Sequence, residues 1–180
     1  LKRFLYISSS MVYGDFITIP CPEDHPKKPK EIYGGTKYAG EVLVETFGRR
    51  YDIDYTIIRP SAVYGPTDVN RRVSQIIIEN AFLGKPIILH NKVQTILDFS
   101  YVKDTAKGIV LALLSNNAKN EVFNITYGKG YSLIEYAETL KKYFPKLDIQ
   151  LVPDSSVFRP KRGALDISKA QQLLNYKPEY

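Results

Sequence analysis

The chain has 180 residues, 44% of them hydrophobic and 24% charged, with a formal net charge of +6. That balance describes a globular domain with a core of its own and excludes an intrinsically disordered chain. No apolar run approaches the roughly 20 residues that cross a bilayer, and the single cysteine, Cys21, cannot close an internal disulfide, which suits the reducing cytoplasm.

The first residues, Leu1-Lys2-Arg3-Phe4-Leu5-Tyr6-Ile7, lack the long apolar centre and small-residue cleavage site of a signal peptide. Residues 3–8 read instead as a buried parallel strand ending in Ser8-Ser9-Ser10. Residues 15–32 are rich in proline and polar groups and read as loop. Lys27, Lys28 and Lys30 alternate there with Pro26 and Pro29, a solvated surface rather than a nucleic-acid site. From residue 33 to about 50, apolar side chains at Ala39, Val42, Leu43 and Phe47 have helical spacing. Residues 54–58 form a second strand, stopped by Arg59-Pro60. A helix over 73–83 closes at Gly84 and Pro86, and 86–89 is a short strand. Asp104 reads as the N-cap of a helix reaching about residue 114. A strand over 121–125, a helix over 133–144, a strand over 149–152 and a short helix over 168–174 complete the chain.

This alternation predicts an α/β fold. Its loops at 8–15, 60–70 and 90–103 follow strands, where doubly wound sheets place their sites. His25 and His90 stand apart from any cysteine or carboxylate cluster, so the pattern contains no metal-ligand set.

Tyr33 and Lys37 are four residues apart on a helix, which brings them to one face. An ammonium beside a phenol favours its ionised form. A tyrosine tuned in this way can exchange a proton with a sugar hydroxyl. With 14 tyrosines in the chain, chance supplies about one such spacing, so the pair needs its context.

That context is an ordered series of segments. Ser8-Ser9-Ser10-Met11-Val12-Tyr13-Gly14 precedes Ile32-Tyr33-Gly34-Gly35-Thr36-Lys37-Tyr38-Ala39-Gly40-Glu41. Then come Ile58-Arg59-Pro60-Ser61-Ala62-Val63-Tyr64-Gly65-Pro66, Leu97-Asp98-Phe99-Ser100-Tyr101-Val102-Lys103-Asp104 and Val122-Phe123-Asn124-Ile125. Asp166-Ile167-Ser168-Lys169-Ala170 and Tyr176-Lys177-Pro178 close the series. Together they resemble the extended short-chain dehydrogenase/reductase family of sugar-nucleotide epimerases and dehydratases, across nearly the whole chain. The resemblance implies a partial Rossmann-like, doubly wound parallel sheet with a small C-terminal α/β substrate-binding lobe. Residues 1–66 would supply sheet and catalytic pair, and 67–180 mostly the lobe, with some return to the sheet.

It also implies roles. Tyr33 and Lys37 would be catalytic with Ser9, whose hydroxyl could relay the sugar proton to Tyr33. NAD, with NADP as the alternative, would contact Tyr33, Lys37, Ser8, Pro60 and Ser61. A nucleotide sugar would meet Ser9, Ser10, Met11 and Val63, with Tyr64 either beside it or packed as an ordinary aromatic. Arg72 and Arg162 are the preferred cations for its phosphates, Arg71 a weaker one, and Asn70 either a substrate ligand or a helix cap.

Two departures narrow the chemistry. Relatives that place arginine before Asp-Phe grip the pyrophosphate with it, and Leu97 stands there in this chain. Dehydratases carry acidic residues just before Val-Tyr-Gly, where this chain has Ser10 and Met11. Neither can protonate a leaving hydroxyl, so the reading favours an NAD-dependent epimerase, for example one acting at C4 of a UDP-sugar. A keto-sugar-nucleotide reductase or dehydratase is the alternative, and a non-catalytic sugar-nucleotide-binding remnant is the alternative of another class. The glycine-rich turn that opens a dinucleotide fold does not occur in these 180 residues. The expectation is therefore a C-terminal portion, inactive alone, whose partner is a complementing N-terminal chain or a second copy in a homodimer, with no role for nucleic acid or membrane.

Overall fold

The computed structural model describes residues 2–70, 72–90, 96–153 and 160–180. Strand β1 (Arg3–Ile7) runs into a 3-10 turn (Ser10–Tyr13) and, after a loop, helix α1 (Ile32–Tyr51). Next come β2 (Asp54–Arg59), β3 (Ala62–Tyr64), α2 (Val73–Phe82), β4 (Ile87–His90) and β5 (Ile96–Tyr101). Helix α3 (Val102–Leu114), β6 (Glu121–Asn124), β7 (Gly130–Ser132), α4 (Leu133–Leu140), β8 (Ile149–Val152) and α5 (Ser168–Leu174) follow. The α/β reading holds, and three strands are added to it. β3 and β7 are three residues long. β5 hides its apolar face by carrying Asp98 and Ser100 at alternate positions.

The first sheet has the order β1-β2-β6, all parallel. Successive side chains of a strand leave opposite faces, and this sheet uses both. Leu5 packs with Ile58, Phe123 and Ile125 against Ala112 of α3 and Ala170 of α5. Tyr6 points the other way and donates its hydroxyl to the Lys37 carbonyl of α1 at 3.5 Å. Helices thus cover both faces, the doubly wound arrangement. Among the described residues, no strand pairs with the outer edge of β1.

Helix α1 forms where its spacing predicts, yet it turns a different face inward. Val42, Leu43 and Phe47 are exposed, whereas Gly34, Glu41 and Gly48 are buried. The cause is close approach. A Cβ at Gly34 would stand 2.5 Å from the Met11 carbonyl oxygen, and one at Gly48 2.7 Å from the Tyr55 ring. Glycine lets the helix lie directly on the sheet and on the turn after β1. Leu43 and Phe47, with Phe4, Ile53 and Tyr55, border a groove of about 290 Å³.

The second half builds β3-β5-β7, in which β7 runs antiparallel, and the parallel pair β4-β8. Ile77 and Ala81 of α2, Ala137 of α4, Leu89 and Phe99 share its core. α4 opens with a capping box between Ser132 and Glu135. β6, though late in the chain, returns to the first sheet beside β2.

Asp104 does not cap α3. The helix begins at Val102 with Tyr101 at the cap position, and Asp104 lies buried in the first turn. Its carboxylate accepts the backbone N–H groups of Glu179 at 3.0 Å and Tyr180 at 2.9 Å. The residue that reads as a local cap is a clamp for the C-terminal tail, a partner too distant in sequence for capping rules to find.

Asp98 performs a similar service for the turn after β6. It accepts from Thr126 Oγ1 at 2.9 Å and from the backbone N–H groups of Tyr127, Gly128 and Leu165, each at 3.1 Å. Burial pushes its carboxyl up to about 6, against the downward pull of those donors. An unfolded aspartate titrates near 3.9, so the native state holds this proton more tightly. Its contribution is fully present below about pH 3.9 and is lost as pH rises through about 6, a fall of about 3 kcal/mol. A carbon-13 titration of the Asp98 carboxyl should show a midpoint well above that of an exposed aspartate; a midpoint at 4 or below would contradict it.

Candidate active site

Three strand ends and two helix starts converge on one cleft of about 660 Å³. Its walls include Ser8, Ser9, Met11, Tyr33, Lys37, Pro60, Ser61, Val63, Arg72 and Arg162. These are ten of the twelve residues expected at the site. Ser10 is the eleventh; its hydroxyl is tied to Arg162 at 2.6 Å. Asn70 is not brought to this cleft. It borders a smaller hollow with Gly65, Thr67 and Asp68, and its backbone N–H donates to Asp68 Oδ1. Nor does it cap α2, whose cap position is Arg72. Arg71, and residues 91–95 of the expected 90–103 site loop, lie outside the described residues.

The Tyr33–Lys37 pair is set by α1. Tyr33 is half exposed, and Lys37 Nζ stands 5.8 Å from its ring centroid. Lys37 also donates to the Ile7 carbonyl at 2.9 Å, which fixes the ammonium at the end of β1. Ser9 caps the 3-10 turn, its Oγ accepting the Met11 N–H at 3.2 Å. A hydroxyl that accepts there keeps its own proton to donate. Ser8 Oγ is buried and, among the described residues, has no hydrogen-bond partner, which is uncommon in a folded chain.

Beyond the pair, strand alternation decides what faces the cleft. Leu97 and Phe99 of β5 line it, and Asp98 between them turns away. On β3, Val63 lines the cleft, while Tyr64 packs 6.3 Å from the Tyr136 ring in a separate aromatic hollow. Of the two readings of Tyr64, the packed aromatic is the one observed. Arg72 donates to the Val63 carbonyl at 3.2 Å.

A buried network underlies the cleft, and its members escaped the sequence reading. Arg59 meets Glu41 in a two-pronged pair, Nε to Oε1 at 2.8 Å and Nη2 to Oε2 at 2.7 Å. Its Nη1 donates to the Tyr13 hydroxyl at 2.9 Å and to the Glu23 carbonyl at 2.8 Å. Tyr13 then donates to Asn124 Oδ1 at 2.8 Å. Burial works against the Arg59 charge, but Glu41 and Tyr13 leave it above its ordinary value. Burial raises the Tyr13 phenol despite Arg59, so it serves as a neutral relay. The pair joins α1, which carries Tyr33 and Lys37, to the β2 end that precedes Pro60 and Ser61. In the sequence Arg59 reads as a strand stop and a member of a family segment, and Glu41 is given no role of its own.

The comparisons with known proteins agree with this geometry. The profile described as NAD dependent epimerase/dehydratase family matches residues 1–126. The chain belongs to the NAD dependent epimerase/dehydratase family. A protein of Methanocaldococcus jannaschii with a provisional UDP-glucose 4-epimerase assignment is 36% identical over 99% of the chain and 59% of its own length. The crystal structure of UDP-glucose 4-epimerase with UDP-glucose from Thermotoga maritima superposes with a TM-score of 0.90 at 29% identity, covering 99% of this chain and 59% of that one. UDP-glucuronic acid 4-epimerase from Bacillus cereus, in complex with UDP-glucuronic acid and NAD, gives 0.90 at 31% identity, covering 100% and 57%. The chain thus spans somewhat over half the length of each of these three proteins. The Rossmann-type architecture of this family is the one seen in β1-β2-β6 and its covering helices.

Proposed function

We propose that this chain carries the catalytic and sugar-binding part of an NAD-dependent nucleotide-sugar epimerase. The observation that carries the reading is the meeting of Ser9, Tyr33 and Lys37 in one cleft with Pro60, Ser61 and two arginines.

The residues present suit the nicotinamide-ribose end of a dinucleotide. Lys37 spends one of its three donors on Ile7 and has two for ribose hydroxyls. Ser8 Oγ, buried and unpartnered, stands on the same wall, and Pro60 and Ser61 border the ring position. When bound, NAD supplies the hydride acceptor for the ring carbon and, once reduced, the donor that returns it. The chain's own work is on the proton. Ser9 holds the sugar hydroxyl and passes its proton to Tyr33 as the carbonyl forms, and Tyr33 returns it when the ring carbon is reduced on the opposite face. No other bond breaks, so the cycle needs no second acid. Ser10 accepts from Arg162 and Met11 is an apolar thioether, so neither serves as the acid a dehydration requires. This supports epimerase over dehydratase. Arg72, on the cleft wall at the start of α2, is the cation this reading assigns to the diphosphate.

Calorimetry on the 180-residue chain tests the reading. A UDP-sugar should bind, whereas NAD alone, with no glycine-rich turn to hold its pyrophosphate, should bind no tighter than about micromolar. Submicromolar NAD binding, or no UDP-sugar binding, would overturn it.

A further inference from the structure

Lys37 is held in place without a countercharge. Glu41 lies four residues further along α1, the spacing at which a lysine and a glutamate pair on a helix surface. Arg59 takes both oxygens of that carboxylate, at 2.8 and 2.7 Å. Among the described residues no carboxylate forms an ion pair with Lys37, whereas Lys107, Lys119, Lys141 and Lys169 each have one. Lys37 has instead the Ile7 carbonyl, 2.9 Å from Nζ, and two aromatic rings. Nζ stands 5.8 Å from the centre of the Tyr33 ring and 5.4 Å from that of Tyr6. Both distances fall within the roughly 6 Å over which a ring face attracts a cation. Among the described residues no other cation lies over two rings.

The fold makes a seat for Tyr6 at this place. A Cβ at Gly40 would stand 2.1 Å from the Tyr6 hydroxyl oxygen and 2.5 Å from the ring carbon that bears it. Gly40, one turn beyond Lys37, is therefore the socket that admits the ring. The Tyr6 hydroxyl reaches the Lys37 carbonyl at 3.5 Å. Burial, with Glu41 and Tyr33 close by, raises the Tyr6 phenol above its ordinary value, so Tyr6 stays a neutral ring. Tyr33 lines the cleft, and Tyr6 is not among its walls. Of the two rings beside the ammonium, one faces substrate and the other backs it.

Resting on the epimerase reading above, we infer that Tyr6 is a positioning residue whose ring face holds the Lys37 ammonium beside Tyr33 from outside the cleft. A carboxylate in that place would hold the ammonium and also neutralise it. A ring holds it and leaves the charge whole for the step at Tyr33, with the two remaining donors free for ribose hydroxyls. Arg59 supports the arrangement from a distance: by engaging Glu41 it withdraws the carboxylate that would otherwise compete for Lys37.

Two measurements test this, with Tyr6→Leu removing the ring and Tyr6→Phe keeping it. By NMR on the 180-residue chain, the Lys37 ε-methylene protons should resonate upfield of those of an exposed lysine, the ring-current mark of a nearby aromatic face. Tyr6→Leu should move them toward the exposed-lysine position, and Tyr6→Phe should leave them in place. In a protein whose dinucleotide-binding half has been supplied, Tyr6→Leu should lower kcat about ten-fold, a loss within the reach of one cation–π contact. The nucleotide-sugar KM should stay within about three-fold, because Tyr6 does not line the cleft, and Tyr6→Phe should restore most of the rate. Gly40→Ala, which crowds the ring out of its socket and leaves both partners intact, should reproduce the Tyr6→Leu shift and serves if Tyr6→Leu does not fold. Lys37 resonances unmoved by Tyr6→Leu and Gly40→Ala would overturn the inference. So would a Tyr6→Phe loss as large as that of Tyr6→Leu, or an unchanged Tyr6→Leu rate in a protein that Tyr33→Phe slows; in each case the epimerase reading survives. A protein that Tyr33→Phe does not slow would remove the epimerase reading and this inference with it.

Discussion

Replacing Glu41 by alanine is expected to lower the unfolding free energy by about 3–5 kcal/mol, the cost of stranding a buried charge. Both partners of the Arg59–Glu41 pair are 1% exposed, and each nitrogen–oxygen contact is short. Without Glu41, Arg59 keeps only the Tyr13 hydroxyl and the Glu23 carbonyl, neither of which carries a countercharge. Water cannot repair the loss without opening the contact between α1 and β2. The loss is also spread over the site, because the pair links the helix that carries Tyr33 to the strand end before Ser61 and, through Tyr13, to the turn after Ser9. Denaturant unfolding of the isolated chain measures it. A loss below about 1 kcal/mol, the worth of a surface pair, would show that the pair is not the keystone argued here.

Tyr33→Phe is expected to reduce turnover by about 10²-fold or more in a protein whose dinucleotide-binding half has been supplied, as removal of an acid–base group does. The fold should not feel the change. Tyr33 is half exposed, and among the described residues its hydroxyl makes no hydrogen bond, so stability should stay within about 0.5 kcal/mol of the original. Nucleotide-sugar affinity should be retained, because the loss is confined to the proton step. This separation makes the experiment decisive: a stable, sugar-binding, slow enzyme is the expected result, and unchanged turnover would remove Tyr33 from the chemistry.

The two variants act at different depths of one arrangement. Glu41 holds the helix in place, and Tyr33 uses the place so held. Between them lies Gly34, whose missing Cβ allows the first turn of α1 to touch the Met11 carbonyl and so brings Tyr33 to the cleft that Ser9 also lines.

Local signals carried much of this protein. The period of residues 33–50 located α1, Gly84 and Pro86 closed α2, and the order of the serine run, the Tyr-Lys spacing and the Arg-Pro segment placed eight residues in one cleft. These features were legible because helix period, turn chemistry and motif order are properties of neighbours in the chain. What the tertiary structure alone decided were the choices made by distant partners. Asp104 became a tail clamp rather than a cap because Glu179 and Tyr180 reach it. Leu43 and Phe47 of α1 turned outward because Gly34 and Gly48 let the opposite face lie on the turn and the sheet, where Glu41 meets Arg59. β5 became a strand by pairing β3 and β7 on its two sides, against a sequence broken by Asp98 and Ser100. Arg162, one of several arginines that could have met a phosphate, was carried to the Ser10 and Ser61 hydroxyls. Propensity and periodicity are short-range and therefore readable along the chain, whereas the partner of a charge is chosen by the fold.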